Sequence, residues 1–407
     1  MYASSPQTNP AQKPVVRRIS VVGAGTRFLS GISYYTCRLT NALSNRQQIS
    51  AILMRQLLPT RLYPGRERVR QGERLTRLEY NPNVRVFDGI DWYWLPSLFR
   101  GLFFLKKQSP EIVIFQWWTG AVLHSYLVLA MAARLSGAKI IIEFHEVQDP
   151  GEAKLRLARL YVGLVANWLT RLASGFVIHS EFDRPILEKN YNLHGCPVEL
   201  IPHGPYDHYQ MPETQTSTRQ APQDCCNLLF FGVIRPYKGL EDLIRAFDAL
   251  PEDQINRYWL TIVGETWEGW TLPTELIEKS RYHDRITFIN RYVPDEEVAT
   301  YFAGADVVVL PYHRSSASGP LHVAMSHGLP LIVTNVGGLV EASSGYEGAF
   351  LVPPQDSVAL TQAILEVAKV QGQRYTDPQS WDRTVGLYDN LFNQIQAFDN
   401  RPEKVAA

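Results

Sequence analysis

The residues best suited to chemistry gather in two stretches of this 407-residue chain. The first is Ser315 to Glu341, SSASGPLHVAMSHGLPLIVTNVGGLVE. Small hydroxyl residues and Gly319 suit a loop whose backbone amides face an anion. The run through Leu321, Val323, Ala324 and Met325 reads as a helix, and Gly328 and Pro330 as its stop. A helix start carries unpaired N–H groups and a partial positive charge, so Ser318, Gly319, Pro320 and Leu321 are candidates to hold a phosphate. The plainer reading is an ordinary helix between two loops. The second stretch is Gly232 to Gly239, where Arg235 and Lys238 sit just past a strand end. Arg binds a diphosphate with a planar fork and Lys as a point charge. The plainer reading there is a solvated basic loop.

Further polar residues stand at strand ends. Ala138 to Glu146 reads as a strand that ends in His145-Glu146, and Gly175 to Ser180 as one with His179 at its end. Polar groups at the carboxyl ends of parallel strands lie at the ligand crevice. His145, Glu146 and His179 are therefore candidates for the acceptor side of a cleft, and satisfied structural polar groups are the bland alternative. His-Glu without a second His four residues on is not a zinc motif, so no metal is expected.

These candidates need a frame. Short apolar strands alternate with helical stretches along the whole chain, which predicts doubly wound α/β architecture. The first strand, Ile19 to Val22, ends at Gly23 and Gly25. A dinucleotide fingerprint needs a third glycine where Phe28 stands, so that cofactor is not expected. Gly31, opening the next helix, lets backbone approach a phosphate. Length predicts two domains. The expected boundaries are a disordered lead-in at 1–14, a first domain at 15–204, a polar linker at 205–226, a second domain at 227–378 and a C-terminal helical segment at 379–407.

Zero formal net charge gives no global argument for nucleic acid, and 45% apolar with 20% charged residues is ordinary for a soluble protein. Cys37, Cys196, Cys225 and Cys226 show neither zinc nor C-x-x-C spacing, so a cytoplasmic location is the default. No apolar run is long enough to span a bilayer. Residues 55–77 are rich in arginine, and Leu95 to Lys107 is an aromatic, leucine-rich helix with terminal lysines. Together, 55–107 suit a peripheral site on an anionic membrane surface, or else a solvated loop and a core helix.

FFGVIRPYKG (230–239), SGPLHVAMSHGLPLIVTNVGGLVE (318–341) and IPHG (201–204) resemble family-four glycosyltransferases of the GT-B fold. The resemblance covers the second domain in order and the first mainly in layout. It implies two Rossmann-like domains facing a central cleft, and transfer of a sugar with retention from a nucleotide-diphosphate-sugar to a glycan or lipid-linked acceptor. No permanently bound cofactor and no catalytic metal are implied. The donor would lie on the second domain and the acceptor on the first.

Lys238 matches the family's diphosphate lysine. The usual arginine position is Val233, so Arg235, offset by two, is expected to take that role. Gly31 matches the glycine near the donor phosphates and His145 the histidine at the sugar. Gly232 and Glu341, the acidic residue after the glycine pair, join the donor-binding candidates. His145, Arg235 and Lys238 are the expected catalytic groups. Two glutamates common in the family are replaced by Ser315 and Val323. That motivates one alternative, a catalytically silent scaffold, and a sugar-nucleotide epimerase on the same fold is another. The resemblance also implies that the helix from Trp381 to Phe398 crosses back to the first domain.

Overall fold

The computed structural model describes residues 16–25, 31–56, 79–91, 95–147, 156–209, 217–267, 269–315 and 317–400. The expected lead-in, most of the arginine-rich stretch, Phe28 and the middle of the linker lie outside these residues.

Two parallel sheets make the frame. The seven-stranded sheet has the order β3-β2-β1-β4-β5-β6-β7 and the six-stranded sheet the order β10-β9-β8-β11-β12-β13. In the first, the strands are β1 (Arg18–Ala24), β2 (Gln48–Gln56), β3 (Arg85–Asp91), β4 (Ile112–Trp117), β5 (Lys139–Phe144), β6 (Gly175–Ile178) and β7 (Val198–Leu200). Its helices are α1 (Gly31–Ser44), α2 (Leu95–Gln108), α3 (Leu123–Leu135), α4 (Arg156–Leu172) and α5 (Asp183–Asn190). The second sheet holds β8 (Cys226–Phe231), β9 (Tyr258–Val263), β10 (Ile286–Ile289), β11 (Val307–Leu310), β12 (Leu331–Thr334) and β13 (Ala349–Val352). Its helices are α6 (Leu240–Asp248), α7 (Leu272–Lys279), α8 (Asp295–Ala303), α9 (Gly319–Ser326), α10 (Gly338–Ala342) and α11 (Ser357–Val367), and α12 (Trp381–Asp399) follows.

Strands such as IVIFQW, VVVL and LIVT are buried along their whole length, because helices cover both faces of a parallel sheet. Alternate residues then feed different cores. Val113, Phe115, Ile140 and Ile142 pack with Leu98, Leu129 and Leu169 of α2, α3 and α4. Ile112, Ile114, Ile141 and Val177 pack instead with Leu39 of α1 and with Val385, Tyr388 and Leu391 of α12. The C-terminal helix therefore completes the first domain's core.

Each sheet reverses direction once, between β1 and β4 and between β8 and β11. A doubly wound sheet opens its ligand crevice at that reversal, beyond the strands' carboxyl ends. The segments after β1, β8 and β11 carry Gly31, Arg235-Lys238 and Ser318-Gly319.

Candidate active site

The two cation and amide segments of the second domain are locked together. Gly239 adopts φ +63°, and a Cβ there would lie 2.0 Å from the Pro311 carbonyl oxygen. The turn that carries Lys238 thus packs directly on the end of β11, where only glycine fits. The His313 N–H donates to the Tyr237 carbonyl at 2.8 Å, and the His313 ring meets Asp242 at 2.7 Å. Gly232 adopts φ +119°, and a Cβ there would lie 3.5 Å from the Pro320 ring, which brings the start of this loop to the start of α9.

Tyr312 joins the two segments. Its ring is fully buried, and the Lys238 ammonium lies over it at 3.9 Å. The Ser318 hydroxyl donates to the Tyr312 hydroxyl at 3.4 Å. Ser318 also caps α9 by accepting the Leu321 N–H at 3.4 Å. Pro320 has no N–H, so the amides left to meet an anion at this helix start are those of Ser318 and Gly319. Lys238 and Ser318 are therefore neighbours around one ring. Arg235 takes a different support, stacking over Trp267 at 4.8 Å.

The first domain approaches from the other side. Gly31 opens α1, and a Cβ there would meet the Tyr206 hydroxyl at 3.3 Å, while a Cβ on Gly319 would lie 3.9 Å from the same ring. Tyr206 thus stands between the starts of α1 and α9. It stacks on His322 at 5.4 Å, and His322 in turn neighbours His203 at 5.5 Å.

His145 and His179 are brought together at the ends of β5 and β6, with ring centroids 4.5 Å apart. The carboxylate beside them is Glu143, two residues before His145 and fully buried. It accepts hydrogen bonds from Tyr35 (2.7 Å), Tyr388 (2.6 Å) and Gln116 (2.9 Å). Burial pushes its carboxyl up, but hydrogen bonding and the neighbouring imidazoles outweigh that and hold it down to about 2. Glu146, the carboxylate expected from sequence, is exposed. Burial, with His145 alongside, pushes His179 down to about 3.

Glu341, expected at the donor, has both carboxylate oxygens on the first domain. They accept the Glu181 and Phe182 N–H groups at 2.5 and 2.8 Å, at the start of α5. The two positions where glutamates are replaced also have structural occupations. Val323 is buried in the second core, and the Ser315 carbonyl accepts the Gly338 N–H at 3.1 Å.

Sequence reasoning missed Tyr312, Tyr206 and Glu143. Tyr312 sits two residues past an apolar strand and reads as core. Glu143 carried a signal, since a lone acid inside KIIIEF must be paired if the strand is buried.

A family model, glycosyl transferases group 1, matches residues 225–369. The O-antigen chain mannosyltransferase B of Escherichia coli is 28% identical over 178 residues, 40% of this chain and 45% of its own length. The chain thus spans less than half of that relative. Glycogen synthase of Mycobacterium tuberculosis is 24% identical over 365 residues, covering 84% of this chain and 85% of its own. Among solved structures, sucrose-phosphate synthase from Thermosynechococcus elongatus superposes with a TM-score of 0.60 at 19% identity, over 93% of this chain and 94% of that one. Anabaena HepE in complex with UDP superposes with a TM-score of 0.59 at 14% identity, over 94% and 98%. Residues 225–369 match a group 1 glycosyl transferase domain, and the two sheets have the GT-B fold of these solved structures.

Proposed function

We propose that the protein moves a sugar, with retention, from a nucleotide-diphosphate-sugar to a glycan or lipid-linked acceptor in polysaccharide or glycolipid synthesis. The observation that carries this reading is the convergence of Lys238 and Ser318 on Tyr312. When the sugar leaves, negative charge grows on the diphosphate. A fixed ammonium and the amides of a helix start stabilise that charge without reorganising, and they act more strongly where water is excluded. Lys238 is the principal cation, Arg235 a second, and Gly232, Gly31 and the Ser318–Leu321 turn shape the phosphate cradle. His145 faces the transferred sugar from the first domain. Glu341 contributes by holding the domains together.

The relatives support two donor bases. HepE was solved with UDP-glucose, and a Xanthomonas relative is named for GDP-mannose. Incubating the chain with labelled UDP-glucose and GDP-mannose, with and without a membrane lipid extract, tests the reading. Acceptor-dependent transfer or slow donor hydrolysis is expected. Silence with both donors, together with no diphosphate binding by calorimetry, would favour the scaffold reading, and donor isomerisation without acceptor the epimerase.

The acceptor is best met at a membrane. Leu95, Phe99 and Phe103 form an i, i+4, i+8 stripe on α2 and are 69%, 68% and 72% exposed. Neighbouring α3 exposes Met131 and Leu135, and α4 exposes Leu160, Leu164 and Trp168. None of these helices contains Asp or Glu, whereas Arg100, Lys106, Lys107, Arg134, Arg159 and Arg171 are exposed on them. Apolar stripes flanked only by cations suit the surface of an anionic bilayer. No helix of the described residues is long and apolar enough to cross a membrane. Peripheral attachment at the cytoplasmic face follows from this reading.

A further inference from the structure

Two helix starts come together where the domains meet, that of α1 at Gly31 and that of α9 at Gly319. Each leaves its first N–H groups without partners inside the helix and carries a partial positive charge. One side chain stands between them. A Cβ on Gly31 would meet the Tyr206 hydroxyl oxygen at 3.3 Å, and a Cβ on Gly319 would meet the edge of the Tyr206 ring at 3.9 Å. Among the described residues, no other atom comes within 4 Å of either position.

Tyr206 is only 7% exposed, and its hydroxyl has no hydrogen-bond partner among the described residues. Burial alone pushes its phenol up to about 12, so the hydroxyl keeps its proton at neutral pH and is available as a donor. The ring is braced. It stacks on His322 of α9, with centroids 5.4 Å and planes 14° apart, and His208 lies 5.6 Å away. The Tyr206 carbonyl accepts the Tyr209 N–H at 3.3 Å, which closes a short turn over Asp207–Tyr209. That turn is tied on both sides. Asp207 bonds Arg38 of α1, and the His327 ring at the end of α9 donates to the Tyr209 carbonyl at 2.9 Å. Tyr206 is therefore in position before a ligand arrives.

We propose that Tyr206 is a donor-binding residue, its hydroxyl donating a hydrogen bond to a phosphate oxygen held between the starts of α1 and α9. This role rests on the nucleotide-diphosphate reading of the site and adds a side chain to it. A buried donor without a partner costs free energy, and the helix starts on either side favour negative charge. One phosphate oxygen satisfies both. Lys238 supplies charge from the Tyr312 side, and Tyr206 supplies a neutral, directional donor from the segment that joins the domains. The absence of a side chain at Gly31 follows from the same arrangement, since any Cβ there would press on the hydroxyl.

The test is calorimetry on the full chain with UDP and with GDP, for wild type, Tyr206→Phe, Gly31→Ala and the double variant. Tyr206→Phe keeps the stack on His322 and removes only an oxygen without a partner, so the melting temperature should hold or rise. Affinity should fall about 10- to 100-fold, the value of a hydrogen bond to a charged group. Gly31→Ala should also weaken binding, and should cost less in the Tyr206→Phe background, where the added methyl has no hydroxyl to displace. If wild type binds and Tyr206→Phe binds equally well, the role of Tyr206 is overturned and the donor reading stands. If wild type binds neither nucleotide, both fall. Should Tyr206→Phe lose its fold by circular dichroism, Gly31→Ala decides, and unchanged affinity there overturns the assignment.

Discussion

Lys238 rests on the face of a fully buried tyrosine, so its ammonium is positioned before any donor arrives. Removing it should cost binding and not folding. Lys238→Ala is expected to weaken nucleoside-diphosphate affinity roughly 10- to 100-fold, the value of a charge-assisted hydrogen bond, with little change in melting temperature. Calorimetry with UDP and GDP checks this, and equal affinity would sink the diphosphate assignment. A second prediction concerns acid. Burial pushes His322 down to about 4, from an ordinary value of 6.5. The unfolded chain takes up a proton near pH 6.5 and the folded one does not until about 4. Stability from this group is therefore present above 6.5 and lost as pH falls through that window, at about 1.4 kcal/mol per unit. The facing groups are His203 and Tyr206. Urea midpoints should fall between pH 7.5 and 5.5, and His322→Gln should flatten the slope. At this scale the sequence was readable where a residue's type is unusual for its place, as with Lys238 and Ser318. It was silent on Tyr312, a buried ring that reads as core and lies under the Lys238 ammonium.

The strand–helix alternation could be read directly, because buried parallel strands are short apolar runs and the helices between them carry a 3.6-residue stripe. The first strand, expected over Ile19 to Val22, lies inside β1 (Arg18–Ala24). Strands β2, β3 and β13 were not read. The last two are partly exposed, and RVFDGID has neither a clean alternation nor an apolar run. The α2 helix was read as either core-packing or membrane-facing, and it does have two faces. Leu98, Gly101 and Leu105 are buried while Leu95, Phe99 and Phe103 are exposed. The paired change Phe99→Asp with Phe103→Asp should leave folding intact, since both side chains face solvent. It should abolish co-sedimentation with vesicles containing anionic lipid, and neutral vesicles should bind neither form. Unchanged co-sedimentation would remove α2 from the membrane surface.

Across the whole molecule, the domains are tied by a few polar contacts. Tyr34 of α1 bonds Asp295 at the start of α8, and Glu341 bonds the amides at the start of α5. The amide bonds are solvent-exposed, so together they are worth about 1 kcal/mol. Such ties hold a closed arrangement and still release it, as a transferase that must exchange donor and product requires. Glu341→Ala is expected to raise the radius of gyration in solution scattering and the donor KM a few-fold, leaving the melting temperature nearly unchanged. An unaltered scattering curve would show that Glu341 does not govern closure. Two-domain organisation was visible in length and in the polar linker. The direction each domain faces was not, because that depends on contacts between residues more than a hundred positions apart.

The return of α12 to the first sheet has a further result for how this protein is made. Glu143 waits for Tyr388, a partner 245 residues downstream. While the ribosome is still translating the second half, the face of β1, β4 and β5 that Val385, Leu391, Phe392 and Ile395 will cover is bare. The half synthesised first is thus the half finished last, and a nascent chain lacking residues 381–399 leaves the apolar surface that α12 will cover open to solvent.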